Sequence, residues 1–224
     1  MKLTSFVKTL AALSVLGVTS LQAKTIDLGK VFPKPLFQGT PIPAQLPNLE
    51  KPDPSKVVKV IEVPEGTENV AKGKTVTSSD AAPIIGDLSL ITDGDPDGSE
   101  GTFVEIAPGP QWVQIDLGAD YAIHYIHLWH FHKQAKAYKA VVVQISDDKD
   151  FKKGVTTVWN SDDADTLKLG LGAGKDPTYI ETNSGRVIDG KGTKGRYVRL
   201  YSNGSTADDM NHYVEVEVYG SPAK

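Results

Sequence analysis

The sequence predicts an all-β protein, a sandwich or jelly roll preceded by a proline-rich arm. Three observations carry the prediction. Residues 66–220 break into short segments in which apolar side chains recur every second position, separated by Gly, Asp and Pro. Those segments are rich in Val, Ile, Tyr and Trp, which suit a pleated, half-buried surface. No stretch after the N-terminus holds the 3.6-residue apolar period over three turns that a packed helix needs. Strands with one apolar face each must bury it, and two facing antiparallel sheets do so.

The elements follow in order. Lys2 and Lys8 give a basic start, Thr9 to Leu21 is apolar or small, and Ala23 is a small residue before Lys24. This pattern predicts a cleaved secretory signal over residues 1–23, too short to span a bilayer, and so a secreted or periplasmic protein. The chain has no cysteine, which excludes both a disulfide framework and lipid attachment through an N-terminal cysteine. No later run is long and apolar enough for a transmembrane segment. The formal charge of −4 becomes −6 once the leader's two lysines are removed, so the basic field that nucleic acid or anionic lipid requires is missing.

Eight of the fourteen prolines lie between Val31 and Pro64, and residues 24–65 read as an extended arm or linker. Its run Val57, Val58, Val60, Ile61 suits one strand or a surface-lying segment, and the arm is a candidate site for a protein partner. In the domain, "QWVQIDLG" places Val113, Ile115 and Leu117 on one face, and "YKAVVVQIS" reads as a strand buried on both sides. "RYVRLYS" and "HYVEVEVYG" alternate again, the latter with Val214, Val216 and Val218 inward and Glu215 and Glu217 outward. Residues 221–224 form a tail.

Six motifs, "NVAKGKTVTSSD", "ITDGD", "QWVQIDLG", "VVVQISDDKDF", "GRYVRLYSNGST" and "NHYVEVEVYG", occur in the order and near the spacing of a discoidin domain. The chain from Glu68 to Gly220 thus resembles the coagulation factor 5/8 type C family, which is similar to galactose-binding-like carbohydrate-binding modules. The resemblance implies an eight-stranded jelly-roll β-sandwich that binds its ligand through loops at one end, with glycans, proteins or, in some members, phospholipid as ligands.

"TDGDPDG" gathers Asp93, Asp95 and Asp97 around a glycine-permitted turn, an oxygen-rich arrangement suited to calcium. An EF-hand is excluded, because its twelfth position is Val104. The resemblance implies a structural calcium held by Asp93 and Asp95 and completed by Glu215 of the last strand. The Thr and Trp usual after this turn in the family are replaced here by "PDGSEGTFVEI".

Four of the five histidines fall in "HYIHLWHFHKQ", residues 124–134. On a regular strand His124, His130 and His132 share one face, and His127 lies on the other. Three readings stay open. His130 and His132 form an i, i+2 zinc pair awaiting a third ligand, for which His212 is a candidate. Alternatively His130, His132, Lys133, Gln134, Tyr138, Asn211 and His212 make a sugar-binding surface of rings and hydrogen-bonding groups. The third reading leaves the histidines as strand framework. No nucleophile, base and orienter set is apparent. The sequence therefore predicts a secreted non-catalytic module that binds a glycan or another extracellular ligand. Its alternatives are a small metal-dependent hydrolase using the His124–His132 cluster and an assembly or matrix protein.

Overall fold

The computed structural model describes residues 22–36 and 46–223. The signal segment up to Leu21, and residues 37–45 of the arm, lie outside the described residues. Among the described residues there are ten strands: β1 (Ala23–Asp27), β2 (Val60–Pro64), β3 (Glu68–Asn69), β4 (Thr75–Ser78), β5 (Val104–Ile106), β6 (Pro110–His130), β7 (Val142–Ser146), β8 (Thr156–Asn160), β9 (Arg186–Asn203) and β10 (Asn211–Pro222). Eight of them, β3 to β10, build the predicted jelly-roll sandwich, with antiparallel pairing throughout.

Two long strands serve both layers. The first half of β6 pairs with β4 and with the end of β9, which continues through β7 to β8. Its second half pairs with β10 and with the start of β9. The ladder between β6 and β9 skips between Asp116 and Tyr121, where the two strands pass from one layer to the other. Gly118 sits in this corner at φ +86°, a conformation that disfavours a side chain, and its N–H donates to Asp116 Oδ1 at 2.8 Å. Arg196 clamps the same carboxylate from β9 at 2.7 and 2.8 Å. Val113, Ile115 and Leu117 face Ile126 and Leu128 across one core, together with Val143, Ile145, Val198, Leu200, Val216 and Val218. β7 is buried on both faces, as its unbroken apolar run predicts.

Two β-bulges break the period-two reading. The register shifts between Ile123 and Tyr125, so Ile123 joins Ile126 in the core and His124 is left half-exposed, 3.0 Å from Ser221 Oγ. A second shift falls between Tyr213 and Glu215. There Tyr213 turns into the core and Val214 packs towards the turn at Gly98, which corrects the inward assignment of Val214. Glu215 and Glu217 lie on the outer face of β10 as read, yet both are buried rather than solvent-exposed. The outer face of β10 is covered by segments remote in sequence. The 3-10 turn Leu88–Thr92 and the Asp93–Gly94 turn lie over Glu215, and the arm lies over Glu217 and Tyr219.

The arm is not a free spacer. β1 and β2 pair antiparallel, and Leu28, Ile61 and Val63 bury themselves against Tyr219 with Tyr125 and Val187. Further along, Asn48 and Glu50 bond the backbone of Thr178, and Asn183 Nδ2 donates to Pro33 O at 2.8 Å. Leu28, Ile61 and Val63 of the arm are thus covered by the domain, whereas Val31, Leu36, Val58 and Val60 stay exposed. Leu28, wholly buried, is the keystone. Leu28→Ala is expected to cost the arm about 2–4 kcal/mol of docking. It should show as rapid protease cleavage between residues 28 and 60 while the sandwich stays intact; unchanged cleavage would contradict the docking.

Candidate functional site

The histidine stretch becomes framework. β6 ends at His130, so no regular strand carries His130 and His132 side by side. His130 is fully buried, stacked on Tyr138 at 4.4 Å between centroids and close to Tyr213 at 4.9 Å. Its Nδ1 lies 2.8 Å from Glu181 Oε1, while its Nε2 and Glu181 Oε2 have no partner. His132, also buried, donates from Nε2 to Pro96 O at 2.8 Å. His127 faces the arm, with Nε2 donating to Ser184 O at 2.8 Å. Each imidazole thus answers a different segment, and among the described residues no three His, Cys, Asp or Glu side chains converge as metal ligands. The zinc-pair reading, and with it the hydrolase alternative, loses its geometry.

Asn211 is framework as well. Its amide donates to Ala107 O and Gly109 O at 2.8 and 2.9 Å, and its oxygen accepts from Ser202 Oγ and Gly204 N. A side chain so saturated has nothing left for a ligand. Lys133 pairs with Asp97 at 3.0 Å, and Gln134 is exposed beside it.

His212 lies under a different feature. The loops before β5, after β6 and before β10 bring Phe103, Phe131, Lys136 and Asp208 together at one end of the sandwich. Phe103 and Phe131 meet edge to face at 4.9 Å, and His212 lies 6.0 and 5.8 Å from their centroids. Lys136 Nζ sits 4.9 Å over the Phe131 ring and 3.3 Å from Asp208 Oδ2. Behind them runs a relay in which Tyr138 OH donates to His212 Nδ1 at 2.9 Å and His212 Nε2 donates to Glu105 Oε2 at 2.8 Å. Burial, then the Lys136 ammonium, hold the His212 pKa below its ordinary value, so the ring is neutral near pH 7 and both bonds have a defined direction. Burial holds the Tyr138 hydroxyl protonated. The result is a half-exposed aromatic pair ringed by a carboxylate on each side and a buried ammonium. Such a surface stacks on the apolar face of a ring and bonds its hydroxyls. Of the predicted ligand residues, Tyr138 and His212 support this patch, and His130, His132 and Asn211 do not belong to it. Phe103, Glu105 and Asp208 carried no local signal, since they are ordinary strand-edge and turn residues until the fold unites them.

The aspartate turn and Glu215 do meet. Glu215 Oε2 accepts from Gly94 N at 3.1 Å, and Oε1 is buried with no partner. Burial, with Glu217 and Asp93 nearby, pushes the Glu215 carboxyl up to about 9. Asp93 Oδ1 accepts from Asp95 N, and Asp95 Oδ1 from Asp97 N, which shapes the turn. The side chains of Asp93, Asp95 and Glu215 do not converge as a ligand set, yet the bare, buried Glu215 oxygen beside the turn is a donor that a hard cation would satisfy. Calcium there would draw its other ligands from backbone carbonyls and water.

A sandwich with its ligand-competent loops gathered at one end defines the class of the galactose-binding-like domains. Residues 90–200 match the F5/F8 type C family described as NedA-like, galactose-binding domain, and the sandwich of this chain resembles that family. The chain is similar to chitosan-binding module 1 of a chitosanase/glucanase from Paenibacillus sp. IK-5, at 25% identity over 68% of this chain and 99% of that one, TM-score 0.44. It is also similar to a family 89 glycoside hydrolase from Clostridium perfringens, at 17% identity over 69% of this chain and 15% of that one, TM-score 0.50. A Streptococcus pneumoniae fucose-binding module matches at 19% identity over 68% and 97%, TM-score 0.45. No curated protein matches the chain.

Proposed function

We propose that this protein is an exported, non-catalytic module that binds a glycan through the end patch of Phe103, Phe131, Lys136, Glu105 and Asp208. The observation that carries the reading is the aromatic pair bordered by charged and hydrogen-bonding groups on a family scaffold of the galactose-binding type. The modules of similar fold are described as binding chitosan or fucose, which supports a saccharide as the ligand class. A structural calcium on the Glu215 carboxylate beside the Asp93–Asp95 turn, its remaining ligands backbone carbonyls and water, steadies that turn.

The test is a glycan array followed by titration calorimetry on the mature chain. Phe131→Ala and Phe103→Ala are each expected to weaken binding about tenfold, the loss of about 1.4 kcal/mol of stacking. His124→Ala, remote from the patch, should bind as the wild type does. Absence of any saccharide hit, or full binding by the double phenylalanine variant, would overturn the reading. Export is checked by the mass of the protein recovered outside the cytoplasm, which should begin at Lys24.

A further inference from the structure

The loop 80–86 runs beside the end patch and is held against β5. Ile84 N and Ile85 N both donate to Glu105 O, at 2.7 and 3.3 Å, and Glu105 N donates back to Ile85 O at 2.9 Å. Asp80 fastens the base of the loop, accepting from Ala82 N at 3.1 Å and from Ala107 N at 2.9 Å. At the other end Gly86, at φ +76°, presses so closely on the chain at Phe103 that a Cβ there would collide with Phe103 O. The loop is a fixed edge of the patch, yet Ile84 and Ile85 are 57% and 41% exposed. Aliphatic surface kept in water by a fixed backbone, and continuous with a binding patch, is contact surface.

Pairing decides what Ile85 stands beside. Ile85, Glu105 and His212 lie directly across from one another on three adjacent segments, so their side chains share one face. It is the outer face, since Val104 and Ile106 on either side of Glu105 turn into the core. Phe103, two residues before Glu105, shares that face, and its ring meets Phe131 there. Glu105 Oε2 accepts from His212 Nε2, whereas Oε1 has no partner among the described residues and is open to solvent, the side chain being 18% exposed. The lysines around the patch, Lys133, Lys136 and Lys139, pair with Asp97, Asp208 and Asp209, and His212 is neutral, so Glu105 has no cation of its own.

A sugar ring stacked on Phe103 and Phe131 therefore finds at its edge an open carboxylate oxygen, with an aliphatic side chain about 5 Å away across the pairing. A hydroxyl satisfies the first and leaves the second facing water. A carboxylate is repelled by Glu105. An ammonium suits Glu105 but sets its own hydration shell against Ile85. An acetamido group serves both, because a planar trans amide carries its N–H and its methyl on the same edge. The N–H donates to Glu105 Oε1 and the methyl covers Ile85.

We infer that the end patch selects N-acetylated hexosamines, with Glu105 and Ile85 forming the acetamido subsite. The inference rests on the glycan reading of the patch and narrows it to one class of sugar.

The mature chain is titrated by NMR with the methyl β-glycosides of N-acetylglucosamine, glucosamine and glucose, with those of N-acetylgalactosamine and galactose, and with methyl α-L-fucoside. In whichever series binds, the acetamido sugar is expected to bind about fourfold tighter than its parent hexose, the worth of one buried methyl group. Glucosamine should bind more weakly than its N-acetyl form, and the amide signals of Ile84, Ile85 and Gly86 should shift with the acetamido sugars. Ile85→Ser, which leaves the backbone bonds of the loop in place, should bring the fourfold preference close to one. Glu105→Gln, with its thermal midpoint measured, should weaken the acetamido sugars severalfold by exchanging a charged acceptor for a neutral one; if it fails to fold, Ile85→Ser decides. Equal affinity within each pair, tighter binding of glucosamine or the fucoside, a preference undiminished in Ile85→Ser, or saccharide binding confined to sugars outside both series would overturn the subsite while the patch remains a glycan site. Absence of any saccharide binding would bring down both.

Discussion

Calcium-stripped protein is expected to lose thermal stability as pH rises from about 4.5 to about 9, and added calcium to restore it at the upper end only. The sign follows from Glu215. In the unfolded chain its carboxyl ionises near 4.5, whereas in the fold it holds its proton up to about 9. Between those values the folded state binds more protons than the unfolded one, so stability is fully present below 4.5 and falls with rising pH. Each pH unit in that window costs up to about 1.4 kcal/mol, and several kcal/mol are at stake across it. A divalent cation on the bare Oε1 replaces the proton and removes the penalty. At pH 8, millimolar calcium should therefore raise the unfolding midpoint sharply, and at pH 4.5 it should do almost nothing. Glu215→Gln should flatten the pH dependence, abolish the calcium response and exceed the calcium-free wild type in stability at pH 8. A calcium response of equal size in Glu215→Gln would sink the site, and a flat pH profile in stripped wild type would sink the electrostatic account.

The strands that could be read from sequence are those whose neighbours obey the pleat. "QWVQIDLG" and "YKAVVVQIS" stand where their periods place them, because each pairs without interruption with β9. β10 misled for two physical reasons. A bulge at Val214 shifts one residue to the other face, and nothing local marks it. Its two glutamates look solvent-facing until the arm and the Gly94 turn, more than a hundred residues away in sequence, close over them. The site was hidden in the same manner. Phe103, Phe131 and Asp208 belong to three separate loops, and only the antiparallel pairing of β5 and β6 with β10 brings those loops together. The histidine cluster stood out because its residues are adjacent in sequence, yet adjacency along a strand that ends at His130 sends each ring to a different partner.

Glu181→Ala is expected to lower the stability of the sandwich by about 3 kcal/mol while leaving glycan affinity in the folded fraction unchanged. Glu181 is 1% exposed, and its carboxylate accepts from His130 Nδ1 inside a cage made by Tyr138 and Tyr213. Removing it strands a buried donor, which costs more than the bond itself was worth. Glu181→Gln keeps an acceptor at the same place and should recover most of the loss. His130→Ala removes a ring packed against two tyrosines and should cost about as much, as other large-to-small changes in cores do. Urea unfolding of the three variants gives these differences directly. Calorimetry on each, below its unfolding transition, then separates structure from recognition. Glycan affinity within about twofold of wild type is expected for Glu181→Ala and Glu181→Gln, whose side chain touches no patch residue, whereas His130→Ala, whose ring stacks on Tyr138 behind the patch, should weaken binding modestly along with the stability loss. If His130→Ala instead abolished binding without moving the unfolding midpoint, His130 would be a ligand contact and the placement of recognition at Phe103 and Phe131 would fail.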